Sequence, residues 1–397
     1  MVRPLFHPFP RLAFWLNLAL VPAALAVYAP SPDRDPEKDL TVSVRAGFTY
    51  DTNLFGAARN ALDTGVWTFA PKVAYTGSLT DTTYVGAGYA PTFDYFTDRP
   101  GAQLLPSHEV SLRLAHAFTK ETTVDINEVF TASRNPESLL AGVPLNPDQS
   151  SQRNQLDGRF STSFSPKIGA TLKARALYSE YRDATLGRAL DHWENLAAGS
   201  VDYAILPELK AVGEARHLDV FYTKLGEQKN KRSEFAMLGL DYEVAKKVTA
   251  TARFGSEWRT RSRERSVTAP YAEVSGKYQY APESFVVGGY AYTLDETSDT
   301  ARFNDSRVNR FFGTLQHSFT PLIVGSATVI FEPAELQGRR GVANLTETTF
   351  RGGGTLSYLP SARWTIALSY DYDHVRSDEA SRQMARHRTG LNATYSF

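Results

Sequence analysis

Side chains along most of this chain change character at every second residue, and that period leaves few architectures open. Between Arg363 and Asp373, the residues Trp364, Ile366, Leu368, Tyr370 and Tyr372 share one parity, while Thr365, Ala367, Ser369, Asp371 and Asp373 share the other. A helix repeats every 3.6 residues, so a strict period of two specifies a strand with one apolar face. The same rule governs Leu40, Val42, Val44, Ala46, Phe48 and Tyr50 near the start, and Leu391, Ala393, Tyr395 and Phe397 at the end. About eighteen such segments can be counted, with sixteen as the alternative. Brief connections such as Lys120-Glu121, Lys246-Lys247 and Leu359-Pro360-Ser361 alternate with long ones at about 52–64, 134–152 and 296–306. Short turns at one end and long loops at the other predict an all-β fold, a transmembrane antiparallel up-and-down β-barrel.

Charges test this prediction, because an arginine on the lipid face at mid-bilayer costs about 2–4 kcal/mol. They should therefore sort by parity, and most do. Arg45, Lys72, Asp94, Arg113, Asp157, Arg159, Lys173 and Arg175 take the polar parity of their segments. So do Asp241, Arg253, Glu273, Lys277, Arg310, Glu347, Arg351, Asp371 and Arg388, and all of these are expected to face a wet lumen. Glu128, Glu180 and His317 break the rule and are expected either beyond the hydrocarbon layer or beside bulges that shift the parity. Around residue 215, Lys210, Glu214 and Arg216 share a parity with Leu218, Val220 and Tyr222, so neither face is assignable there. The 20 Tyr and 23 Phe fit the amphipathic girdles that a barrel needs at the two membrane interfaces.

Composition removes several function classes. Lys and Arg number 43 against 43 Asp and Glu, so no long-range field draws in nucleic acid. Cysteine is absent, which excludes disulfides, thiolate nucleophiles and Cys-built metal sites. No cofactor or metal is expected. No Gly-x-Ser-x-Gly, His-Glu-x-x-His or phosphate-loop sequence occurs, and Asp371, Asp373, His374 and His387 form the only local grouping from which a hydrolytic dyad could be assembled. The reading is therefore not an enzyme. At the N-terminus, Arg3 and Arg11, an apolar stretch from Leu12 to Leu25, and Ala24-Leu25-Ala26 predict a secretory signal cleaved after Ala26. A periplasmic linker at 27–39 and a barrel over 40–397 follow, which places the expected product in the outer membrane of a Gram-negative cell.

The segment Phe48-Thr49-Tyr50-Asp51-Thr52-Asn53-Leu54-Phe55 resembles the opening motif of the family known as beta-barrel porin 2, carried here by Tyr50, Asp51, Asn53 and Phe55. Thr52 departs from it, standing where the family usually has another acidic residue. The final residues, with Tyr395 and Phe397, resemble the signal read by the barrel-assembly machinery of Gram-negative bacteria. The family resemblance implies an association with exopolysaccharide gene clusters and passage of polymer through the outer membrane, with a periplasmic polysaccharide-export protein as partner.

Eighteen strands about 4.8 Å apart and tilted near 40° would close a cylinder roughly 35 Å across. Its expected wall of Thr, Ser, Gly and charges of both signs suits neutral or mildly charged sugars rather than one ionic charge. Tyr84, Phe312 and Tyr181 are expected inside, as wall packing or as sugar platforms. The longest connection, 134–152, carries the apolar residues Leu139, Leu140, Val143 and Leu145, and is expected either to narrow the pore or to form an external contact surface. Arg259, Arg261, Arg263 and Arg265, and Lys229, Lys231 and Arg232, are expected in external loops, solvated or touching lipopolysaccharide and lipid. Asp373 and Arg388 are expected to pair inside the wall. The expectation is an export conduit for polysaccharide; a diffusion porin and a non-conducting scaffold or adhesin are the alternatives.

Overall fold

A computed structural model describes residues 39–133, 150–224, 229–244, 247–297, 299 and 301–397. The predicted signal segment and nearly all of the 134–152 loop, including Leu139, Leu140, Val143 and Leu145, lie outside the described residues. The first nine strands are β1 (Leu40–Asp51), β2 (Thr64–Thr80), β3 (Thr83–Phe96), β4 (Leu104–Ala117), β5 (Thr122–Ser133), β6 (Ser151–Ser165), β7 (Ile168–Tyr181), β8 (His192–Leu206) and β9 (Leu209–Tyr222). The second nine are β10 (Lys231–Val244), β11 (Val248–Arg261), β12 (Val267–Ala281), β13 (Ser284–Asp295), β14 (Phe303–Thr320), β15 (Ile323–Gly338), β16 (Leu345–Ser361), β17 (Trp364–Ser377) and β18 (Met384–Ser396). One short helix, α1 (Ala184–Leu190), sits between β7 and β8.

Every strand pairs antiparallel with its chain neighbours, and β1 also pairs with β18 from Ser43↔Ser396 to Asp51↔Arg388, which closes an 18-stranded sheet. Closure leaves no unpaired edge, the only way a sheet satisfies its backbone where water is absent. The turns between β2 and β3, β8 and β9, and β16 and β17 take two residues each, whereas the opposite end carries longer segments such as 52–63, 97–103 and 182–191. Strands exceed the expected length: β14 runs 18 residues and β2 and β16 run 17, so the barrel wall continues past any bilayer into what the sequence assigned to loops.

The outer face is apolar over its middle, with Leu368, Leu391, Val329, Leu315 and Leu356 exposed. Aromatic rings flank this band: Phe164, Tyr203, Tyr242, Phe319 and Trp364 near the short turns, and Trp67, Tyr95, Trp193, Phe221 and Trp258 toward the long loops. This is the composition of a wall that faces lipid.

The three residues that broke the parity rule do so without bulges at their positions. Glu180 lies exposed at the loop end, hydrogen-bonded by Tyr178 Oη at 3.0 Å. His317 belongs to the aromatic girdle at the turn end, 3.0 Å from Tyr280 Oη and edge-on to Phe319. Glu128 remains on the outer face between Leu112 and Leu156, deep in the apolar band.

Substituting Leu368→Arg should lower the folding free energy in lipid vesicles by about 2–4 kcal/mol, the cost of a guanidinium at the lipid midplane. Ser369→Arg, aimed inward, should cost less than half as much in the same urea titration.

Candidate functional site

Inside the wall, charged side chains stand close enough to neutralise one another. Parity and pairing direct Arg45, Lys72, Asp94, Arg113, Arg159, Lys173, Arg175, Arg253, Lys277, Arg310, Glu347, Arg351, Asp371 and Arg388 to the inner face. Many have a partner on an adjacent strand: Arg113 Nε donates to Asp125 at 3.0 Å, Arg175 Nε to Asp157 at 2.7 Å, and Arg388 Nη2 to Asp373 at 3.1 Å. Arg310 bridges Asp295 at 2.8 Å and Glu332, and Arg382 clamps Glu347. Lys277 stacks over the Phe285 ring at 4.7 Å, and Arg159 donates to Ser161 at 3.1 Å.

On β9, the face that carries Lys210, Glu214 and Arg216 together with Leu218, Val220 and Tyr222 turns to this interior. Glu214 accepts from Arg216 Nε at 2.6 Å, and Arg216 reaches Tyr271 Oη at 2.9 Å, while Lys173 on β7 and Arg253 on β11 approach Glu214 across the intervening strands at 4.0 and 3.5 Å. Val220 and Tyr222, further along the same face, are buried beneath the loops. Charges and apolar groups share a parity because the lumen is wet near its middle and packed near its mouth.

That packing is the site the sequence did not announce. Asp305, fully buried, accepts from Lys231 Nζ at 2.9 Å and Arg259 Nη1 at 2.6 Å, and Arg261 closes onto its other oxygen. Lys231 also donates to Glu296 at 2.7 Å, to which Tyr222 Oη donates at 2.7 Å. Arg259 further donates to Glu257 at 2.8 Å, which Ser233 Oγ also satisfies at 2.7 Å. The expectation that Arg259, Arg261, Lys231 and Arg232 occupy external loops is therefore corrected. All four lie in strands β10 and β11; the first three are turned into the mouth, and Arg232 is on the outer face. Their strands run longer than the alternation indicated. Lys229, in the loop, is also buried and donates to the Ala189 carbonyl of α1 at 2.8 Å.

Loops lock onto one another around this cluster. The α1 segment folds inward with Leu186 and Leu190 buried; Asp183 caps its first turn, accepting from the Thr185 and Leu186 amides at 2.9 Å. Arg302 donates to Glu379 at 2.8 Å and its carbonyl accepts from the Arg339 amide at 2.9 Å; Arg382 lies 3.7 Å from Asp299, and Arg339 3.5 Å from Glu264. Across the closing seam, Arg386 Nε donates to Asp51 at 3.0 Å. Asn53 then ties the first loop down, its Nδ2 donating to the carbonyls of Ala385 at 3.0 Å and Ala57 at 2.9 Å. Leu54 forms a small core with Val66, Phe96 and Leu105, against which Phe55 packs. Asp51 and Asn53 of the motif thus fasten a loop to the β18 rim, where Thr52 also accepts from the His387 amide at 2.9 Å, while Tyr50 donates to Asp63 and Phe55 packs on the small core.

Tyr84 lies beneath the Arg113 guanidinium at 5.6 Å, and Phe312 rests on Gly289, where a Cβ would approach its ring to 2.4 Å, so both rings pack the wall. The wall itself separates the hydrolase grouping. Asp371 and Asp373 face inward, whereas His374 and His387 share the outer face with Tyr372, their rings 6.0 and 4.7 Å from it. No dyad forms among them.

No family model and no curated protein matches the chain. Among solved structures, OpdK from Pseudomonas aeruginosa aligns over 90% of this chain and 99% of its own at 13% identity and a TM-score of 0.47. Acinetobacter baumannii OccAB4 covers 92% and 100% at 10% identity and 0.46, and a BenF-like porin from Pseudomonas fluorescens 91% and 99% at 10% and 0.48. Likenesses this remote decide neither substrate nor mechanism.

Burial pushes the Glu296 carboxyl up, but Lys231 and Arg259 pull harder and bring it to about 2. A depressed carboxyl stabilises the docked loops fully above its ordinary 4.5 and loses that contribution as pH falls through 2. The urea midpoint should therefore be constant from pH 5 to 7 and fall as pH drops from 4.5 toward 2, and Glu296→Gln should remove that acid limb. Asp305→Asn, which strips three buried cations of their shared counter-charge, should cost about 3–5 kcal/mol in urea titration.

Proposed function

We propose that this protein is an outer-membrane channel through which small polar solutes diffuse, the reading placed second from sequence alone. The observation that carries it is a closed wall, apolar outside and lined inside by paired charges of both signs, with the 52–63 segment packed on Val66, Phe96 and Leu105 and α1 held by Lys229 at its loop end. Paired charges present dipoles rather than a net field, so neutral and weakly charged solutes pass without a strong trap. The wall residues that would set the passing charge are Arg45, Lys72, Arg159, Lys277, Arg351 and Asp371, which lie away from the packed mouth cluster; Asp94 is buried and held by Thr68. Polymer export rests on the family resemblance, and inward-folded loops weigh against it because a glycan needs an unobstructed bore. Under this reading Tyr395 and Phe397, stacked edge-on at 4.9 Å at the seam, serve as the assembly signal, and lipopolysaccharide surrounds the outer wall.

Reconstitution tests the proposal. Stepwise conductance in planar bilayers, with liposome swelling in mono- and disaccharides that falls steeply by tetrasaccharide, is the expected result. A silent bilayer would favour the scaffold reading, and undiminished passage of long glycans would favour export. Deleting 184–190 should raise single-channel conductance and shift the swelling cut-off to larger sugars.

A further inference from the structure

One sector of the outer wall differs from the rest. On β5 to β10 the lipid-facing side carries Glu128, Asn154, Asn195, His217, Asp219 and Glu234. Elsewhere the same band holds residues such as Leu368, Leu391 and Phe311. Glu234 stands beside the girdle residue Trp258, and Glu128, Asn195 and His217 lie further inward. Asn195 lies two residues inward of Trp193, and His217 four inward of Phe221, about 10 Å down a strand rising ~3.3 Å per residue at a tilt near 40°. Hydrogen bonds join them: His217 bridges Glu234 at 2.7 Å and Asp219 at 2.9 Å, Arg232 donates to Asp219 at 3.0 Å, and Asn154 donates to Glu128 at 3.0 Å. Asn154 Oδ1 is buried without a partner. Between the polar groups the side chains are small: Gly158, Ala174, Ala176, Ala197, Gly199 and Ala215. They leave a hollow of about 390 Å³ running from Ile126 to His217.

Hydrocarbon solvates neither carboxylates nor amides, so a sector of this composition is suited to contact with protein. We infer that the β5–β10 face is where a second copy of this chain docks. Three features select that occupant. The patch carries both signs, Arg232 and His217 against Glu128, Asp219 and Glu234, and is complementary to itself, as a symmetric contact requires. Its carboxylates outnumber its cations, which disfavours lipopolysaccharide phosphates. Small residues form a hollow beside large projecting ones, with Leu238 and Trp258 on the same flank, so one surface supplies both knob and socket.

The natural absence of cysteine makes the test direct. Single variants Ala197→Cys, at the centre of the face, and Leu391→Cys, on the opposite wall, are treated in isolated outer membranes with a short bifunctional maleimide. The expected result is a covalent dimer at least fivefold more abundant for Ala197→Cys. Light scattering of unmodified protein in mild detergent should give at least twice the chain mass, and Ala197→Trp should reduce that species at least fivefold while the conductance per pore is unchanged. Equal cross-linking from both faces with a single-chain mass in detergent and in nanodiscs would overturn the inference. A cross-linked product whose added mass is not that of this chain would overturn it too. Conductance is read separately, so a failed channel assay leaves the docking result standing.

Discussion

A backbone that crosses hydrocarbon must find every hydrogen bond within itself, and a sheet does this only by meeting its own first strand. The pairing of β1 with β18 is therefore the interaction on which the rest depends. Closure fixes which parity faces outward for all eighteen strands at once. Wherever a charge occurs in a strand, its position in the count decides whether it meets water or lipid. The seam is reinforced at its loop end by Arg386 on Asp51, both almost wholly buried, so the motif at the end of β1 and the first residues of β18 stabilise the same junction.

Because the parity rule is global, most of the architecture was legible before any coordinates. Eighteen strands, their order, the alternation of connections and the inward set from Arg45 to Arg388 all follow from a period of two. Strand ends were less legible. Arg259, Arg261 and Lys231 read as loop residues because their neighbours in sequence are polar on both parities. Near the mouth the wall no longer faces lipid, and the apolar alternation that marks a strand is under no constraint there. The β9 segment failed for the complementary reason: burial under loops rewards Val220 and Tyr222 on the same side as Glu214 and Arg216.

Pairing of charges inside the barrel has a physical consequence for the pore. A buried guanidinium without a counter-charge is strongly unfavourable, and removal of one partner of a buried pair costs several kcal/mol. The mouth cluster around Asp305 meets that constraint with three cations on one carboxylate, balanced further by Glu296 and Glu257. Its hydrogen bonds tie β10 and β11 to Glu296 and the start of β14, while Arg261 Nε stays buried without an acceptor. It therefore holds that end of the wall together, where a set of solvated loop charges would not.

Those requirements also explain why exceptions to the rule are informative. His317 and Glu180 sit where aromatic girdles and external solvent accept polar groups, and they need no further cause. Glu128 and His217 have no such shelter, yet they lie within a single sector, Glu128 bonded to Asn154 and His217 to Asp219 and Glu234. Random placement of tolerated polar groups would scatter them around the eighteen strands. Outward polar groups elsewhere, such as His374 and His387, stack on the girdle ring of Tyr372, whereas those on β5–β10 lie among small residues, which favours a protein neighbour over lipid there.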